Sequence, residues 1–113
     1  MRDDKERLRD INEAIEKIEK YVSIGYQTFA EDERTQVWII HHLQVIGEAS
    51  NHLSDELTEQ NPDIPWADIV GLRNILVHQY FGIDLRQVWE TAELDMPVLK
   101  AKVWEILQEM IDK

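Results

Sequence analysis

Glycine occurs only four times and proline only three times in 113 residues. Tight turns between strands lean on these two residue types. A sheet with several hairpins has too little punctuation here, and helix becomes the default. The apolar spacing agrees. Leu8, Ile11, Ile15, Ile18, Val22 and Tyr26 recur at steps of three and four, with charges on the remaining faces. That pattern predicts a helix over residues 1–24, with Gly25 as its stop signal.

A second helix is expected to open at Glu31 or Asp32, where an acid suits the positive end of the helix dipole. It continues through Val37, Ile40, Leu43, Val45, Ile46, Ala49 and Leu53. Ser54, followed by Asp55, Glu56 and Leu57, reads as the cap of a short helix or turn. Asn61-Pro62-Asp63 breaks the chain, because the residue before a proline avoids the helical region. Pro65 suits the first turn of a third helix through Trp66, Ile69, Leu72, Ile75 and Leu76, which Gly82 interrupts or ends. Asp84 caps a fourth, running through Leu85, Val88 and Trp89 to about Thr91. Asp95-Met96-Pro97 opens the last, through Leu99, Val103, Ile106, Leu107 and Met110. No repeat or linker divides the chain. The expected fold is a single all-α domain over residues 1–113, an up-and-down bundle of four long helices plus a short one.

Composition narrows the function classes. There are 23 acids against 12 Lys and Arg, a net charge of −11. That argues against coating long nucleic acid by bulk electrostatics, and leaves room for a basic pocket inside an acidic shell. The absence of Cys excludes a disulfide scaffold, a zinc–thiolate site and thiol catalysis. No apolar run approaches the roughly 18–20 residues of a membrane span. The N-terminus is charged from its second residue, unlike a signal peptide. A soluble, cytoplasmic protein is expected.

One segment departs from the ordinary amphipathic pattern: residues 66–82, WADIVGLRNILVHQYFG. Ile69, Leu72, Ile75 and Leu76 share one helical face, expected to belong to the core. The opposite side carries Val70, Arg73, Asn74, Val77, His78 and Phe81, with no acid among them. Such a side is expected to be buried against a partner or a second copy of the chain. Asn74 and His78 stand one turn apart, with Arg73 beside Asn74 and Tyr80 on the Arg73 edge.

Those groups suit cleavage of RNA. The substrate's own 2′-hydroxyl is the nucleophile. A base takes its proton, an acid protonates the leaving 5′-oxygen, and a cation holds the charge that builds on phosphorus. Histidine near pKa 6.5 can serve as acid or base, and the guanidinium fork matches phosphate oxygens. No metal or other cofactor is needed. A symmetric dimer would bring two histidines and two arginines to one cleft. The competing reading is structural, with Arg73 in an ion pair and His78 as a hydrogen-bonded, partly buried residue.

Arg73, four residues, His78, one residue and Tyr80 resembles the Arg-x4-His-x-Tyr signature of HepT-like toxins, within the HEPN group of small helical ribonucleases. The flanks resemble it too: Ile64-Pro65-Trp66, Leu72-Arg73-Asn74, His78-Gln79-Tyr80-Phe81-Gly82-Ile83-Asp84, Ile46-Gly47-Glu48-Ala49, Val88-Trp89 and Met96-Pro97. The resemblance implies a HEPN bundle that dimerises around a shared cleft. It implies a metal-independent endoribonuclease toxin of a toxin–antitoxin pair. Its partner would be a minimal nucleotidyltransferase antitoxin that transfers AMP to Tyr80. By the same resemblance Arg73 binds phosphate and stabilises the transition state, His78 is general acid or base, and Asn74 is a supporting donor. An alternative is a non-catalytic nucleotide- or substrate-binding subunit of a nucleotidyltransferase complex.

Other clusters carry less. His41, Val45, Glu48 and His52 form a helical stripe, but His41 lies about three turns from His52, too far for one metal site. A Glu48–His52 contact in a cleft wall is the expected arrangement, and His42 is expected to be exposed. Trp38, Trp66, Trp89 and Trp104 are expected in the core or at a dimer contact. The stretch from Thr35 to Leu72 holds no Lys or Arg. It reads as a solvated acidic face, or one that docks a basic partner.

Overall fold

The structure is a computed structural model that describes residues 3–78 and 82–112, apart from the side chains of His78 and Asp112. Helix α1 runs over Asp4–Val22, capped by the Asp3 carboxylate, which accepts from the Glu6 N–H at 2.9 Å. Its Leu8, Ile11, Ile15 and Ile18 are fully buried. Gly25 then takes φ +91°, a left-handed conformation that glycine adopts without steric cost. It leads into a helix the periodicity does not show, α2 at Tyr26–Glu31. Tyr26 therefore opens a new element instead of extending α1. The fully buried Phe29 of α2 lies 5.2 Å, ring to ring, from Trp89.

Asp32 caps α3 (Glu33–Asn51), accepting from the Arg34 N–H and the Thr35 hydroxyl. Ser54 caps α4 (Asp55–Gln60), as its position predicts. Its Oγ accepts from the Leu57 N–H at 3.2 Å and donates to the Asp4 carboxylate at 2.6 Å, tying the start of α1 to α4. Helix α5 spans Trp66–His78, directly after Pro65. Asp84 caps α6 (Leu85–Glu90) through bonds from the Arg86 and Gln87 N–H groups.

The last helix opens at Met96, as Asp95-Met96-Pro97 predicts, but helix continues into it from α6. Thr91–Asp95 form a π-helical turn that runs straight into α7 (Met96–Asp112). Pro97 has no N–H for the Glu93 carbonyl, and its ring crowds that oxygen. A wider turn carries the chain past it, with the Met96 N–H reaching back to the Thr91 carbonyl. Residues 85–112 thus form one long rod.

The fold is all-α, with no strand among the described residues. Helix α1 packs on α3 at one side and on α7 at the other, and α3 packs on α5. The long helices therefore sit in the order α5, α3, α1, α7, within an envelope of 46 × 27 × 26 Å. Trp38 Nε1 donates to the Lys17 carbonyl at 3.0 Å across α3–α1. Lys100 Nζ meets Glu19 at 2.7 Å across α7–α1, and that bond holds the Lys100 amine above its ordinary range. Among the described residues no helix is long and apolar enough to cross a membrane.

Two positions, Ile75 and His42, correct the sequence expectation. Ile75 is 47% exposed, not part of the core. Helix α5 turns Ile69, Leu72, Arg73 and Leu76 toward α3, which leaves Ile75 about 110° off that face at 100° per residue. His42 is buried, with its Nδ1–H donating to the Trp38 carbonyl at 2.8 Å and its ring 4.6 Å from that indole. Trp89 lies in the core, but Trp104 is exposed on the single chain.

Candidate active site

Helices α3 and α5 meet at a point where a side chain would not fit. A β-carbon on Gly47 would lie 2.2 Å from the Arg73 Cβ and 3.2 Å from the Ile69 carbonyl. Glycine here lets the root of Arg73 press on the α3 backbone. The guanidinium then runs along α3 to the next residue, where its Nη2 meets Glu48 Oε2 at 2.7 Å. Its Nη1 donates to Asn74 Oδ1 at 2.9 Å. Two of the five N–H donors of a guanidinium are engaged by these bonds, and three are left.

The other oxygen of Glu48 accepts from His52 Nε2 at 2.8 Å. A carboxylate only accepts, so the proton sits on Nε2 of His52. The His52 bond first, and the Arg73 charge after it, hold the Glu48 carboxyl below its ordinary range. A Glu48–His52 contact is what the sequence predicts. An ion pair for Arg73 is what the competing structural reading expects, but Glu48 as its partner is not predicted. The acid-free surroundings expected for Arg73 hold only along α5, because the acid arrives from α3.

Of these side chains, Glu48 and Arg73 border an open cavity of about 430 Å³ between α1, α3 and α5. Arg7 and Asp10 line it from α1, His41, Gln44 and Glu48 from α3, and Arg73 and Val77 from α5. His41, Val45 and Glu48 line it as the stripe expected of a cleft wall, whereas Arg7 carries no signal of its own in the sequence, since α1 reaches this cleft only through tertiary packing. Arg7 and Arg73 border the cavity together with the acids Asp10 and Glu48. Val77, like Ile75, is exposed, so the outer apolar side of α5 stays open in the single chain. His78 is the last residue of α5. Tyr80 and Phe81 lie outside the described residues.

The all-α fold of the described residues is consistent with a HEPN-like helical protein. A family model described as "Ribonuclease HepT-like" matches residues 11–106. A protein of Thermococcus cleftensis named "Probable ribonuclease HepT" is 41% identical over 102 residues, 89% of this chain and 93% of its own. Proteins named as candidate RNases in Methanocaldococcus jannaschii and Caldanaerobacter subterraneus are 38% and 37% identical. They align over 90% and 81% of this chain, and 94% and 82% of their own lengths. No solved structure matches. The chain belongs to the HepT-like ribonuclease family.

Proposed function

We propose that this endoribonuclease is the toxin of a toxin–antitoxin pair and cleaves cellular RNA without a metal ion. The observation that carries the reading is Arg73. It is a half-buried guanidinium at the edge of an open cleft, held at both terminal nitrogens, with N–H donors left for a phosphate. In this reading Arg73 binds the scissile phosphate and stabilises the charge of the transition state. His78, five residues along α5, exchanges the proton with the 2′- or 5′-oxygen. Asn74 holds the Arg73 tip. Two copies pair through the outer side of α5, where Ile75 and Val77 are exposed. A nucleotidyltransferase antitoxin attaches AMP to Tyr80, adding bulk and negative charge that compete with RNA for the cation.

The test uses protein expressed without a partner and verified by intact mass. It is incubated with total RNA and purified transfer RNA in EDTA beside His78→Ala. Cleavage by the parent alone, leaving 2′,3′-cyclic phosphate ends, is the expected result. A folded, unmodified parent that leaves every RNA intact would refute the proposal. Tyr80→Phe is expected to cleave and to resist AMP transfer.

A further inference from the structure

We propose that Glu48 and His52 are positioning residues of this site, Glu48 holding Arg73 and His52 holding Glu48; the proposal rests on the ribonuclease reading above. An arginine side chain is long and rotamer-rich, so its tip is placed only by what it bonds. Here Arg73 is fixed at its root by the Gly47 contact, and at its tip by Glu48 and Asn74. Glu48 belongs to α3, so the cation is referenced to a second helix and not to its own alone. A glutamate on a surface also samples several rotamers. His52 removes that freedom by bonding Oε1 while Arg73 takes Oε2. The carboxylate is thus spanned, one oxygen to each partner.

The arrangement is a poor stabilising device. Roughly half of the Glu48 and His52 side chains is exposed, and exposed ion pairs add little to folding. Orientation is what the bonds do secure. A cation that meets a phosphate in the transition state loses rate steeply when displaced, on the order of a hundredfold for 1 Å. The asymmetry separates this role from Asn74, which neighbours Arg73 on the same helix and moves with it.

The experiment measures kcat and KM on a defined RNA in EDTA, with thermal unfolding in parallel. Glu48→Ala is expected to lower kcat about tenfold or more while KM changes less than about threefold, since an interaction used in the transition state is lost. Glu48→Gln keeps an oxygen for Arg73 and is expected to recover part of the rate. It also carries the test if the alanine variant fails to fold. His52→Ala is expected to lower kcat about threefold alone and by less than twofold in the Glu48→Ala background, because residues acting through one another are not additive. His52→Gln, which retains an N–H donor, should restore most of the loss. Wild-type kcat in both Glu48 variants overturns the proposal. So does a loss matched by unfolding, or full additivity of His52→Ala with Glu48→Ala. Arg73→Ala separates the two levels. If it cleaves normally, the role of Arg73 itself fails. If it is inactive while the Glu48 variants are normal, only the positioning role fails.

Discussion

Gly47→Ala adds one methyl group at the closest approach of α3 and α5. In the present backbone that carbon would sit 2.2 Å from the Arg73 Cβ and 2.8 Å from its Cγ. Ordinary carbon–carbon contact begins near about 3.5 Å, so the helices must separate locally by about 1.3 Å. Overpacking of this kind costs about 1–3 kcal/mol. Replacing glycine in a helix interior returns about 0.5–1 kcal/mol. The net is a destabilisation of up to about 2.5 kcal/mol, or a fall in Tm of about 4–8 °C for each kcal/mol in a domain near this size. Gly71→Ala is the internal control, because a β-carbon there meets nothing within 4 Å. It gains the same helix propensity without the clash and should raise stability by about 0.5–1 kcal/mol. Urea unfolding monitored by circular dichroism reads both. Opposite signs for the two glycines are the expected result. A Gly47→Ala protein as stable as the parent would refute the close-approach argument.

Two further outcomes follow from particular side chains. Burial, before any charge effect, pushes the His42 imidazole below its ordinary value of 6.5, and the nearby His41 and Lys17 charges push the same way. The folded state favours neutral His42. Its contribution is therefore complete above pH 6.5 and fades as pH falls through the lowered value. Thermal unfolding from pH 7.5 to 5 should show a decline that His42→Gln flattens; an equal decline in both proteins would remove His42 as the cause. Ser54→Ala deletes the α4 cap and the bond to Asp4. It should cost about 1 kcal/mol, measured as a shift in the urea midpoint.

Local chemistry carried most of the architecture into the sequence. Asp32, Ser54 and Asp84 each cap a helix where a short polar side chain precedes an apolar run. Gly25 and the Asn61-Pro62 break mark chain reversals for equally local reasons. The misses are of a different kind. Helix α2 has six residues, too few for a period to register. Met96 opens the last helix where Asp95-Met96-Pro97 puts it, but the π-turn that joins it to α6 leaves no such local mark. Ile75 looks like core because its type and spacing fit. The inward face of α5 is set by Gly47 on another helix, which admits Arg73 and rotates Ile75 outward. The motif residues Arg73 and Asn74 were legible as a local pair. The Glu48–Arg73 pair joins positions 25 residues apart, and no helical period links them.

Helix α5 packs chiefly on one long helix, α3, and faces α7 only across a cavity bordered by Ile69, Leu72, Met96 and Leu99. In hydrogen-exchange terms, such a helix opens at a lower free energy than the α1–α3 centre, and its amides exchange sooner. The helix that carries Arg73 and His78 is then guarded less than the α1–α3 centre in the isolated chain. A partner that covered Ile75 and Val77 only in the closed form would raise protection along α5. Occupancy of that face and order in the Arg73 helix would then be two readings of one equilibrium.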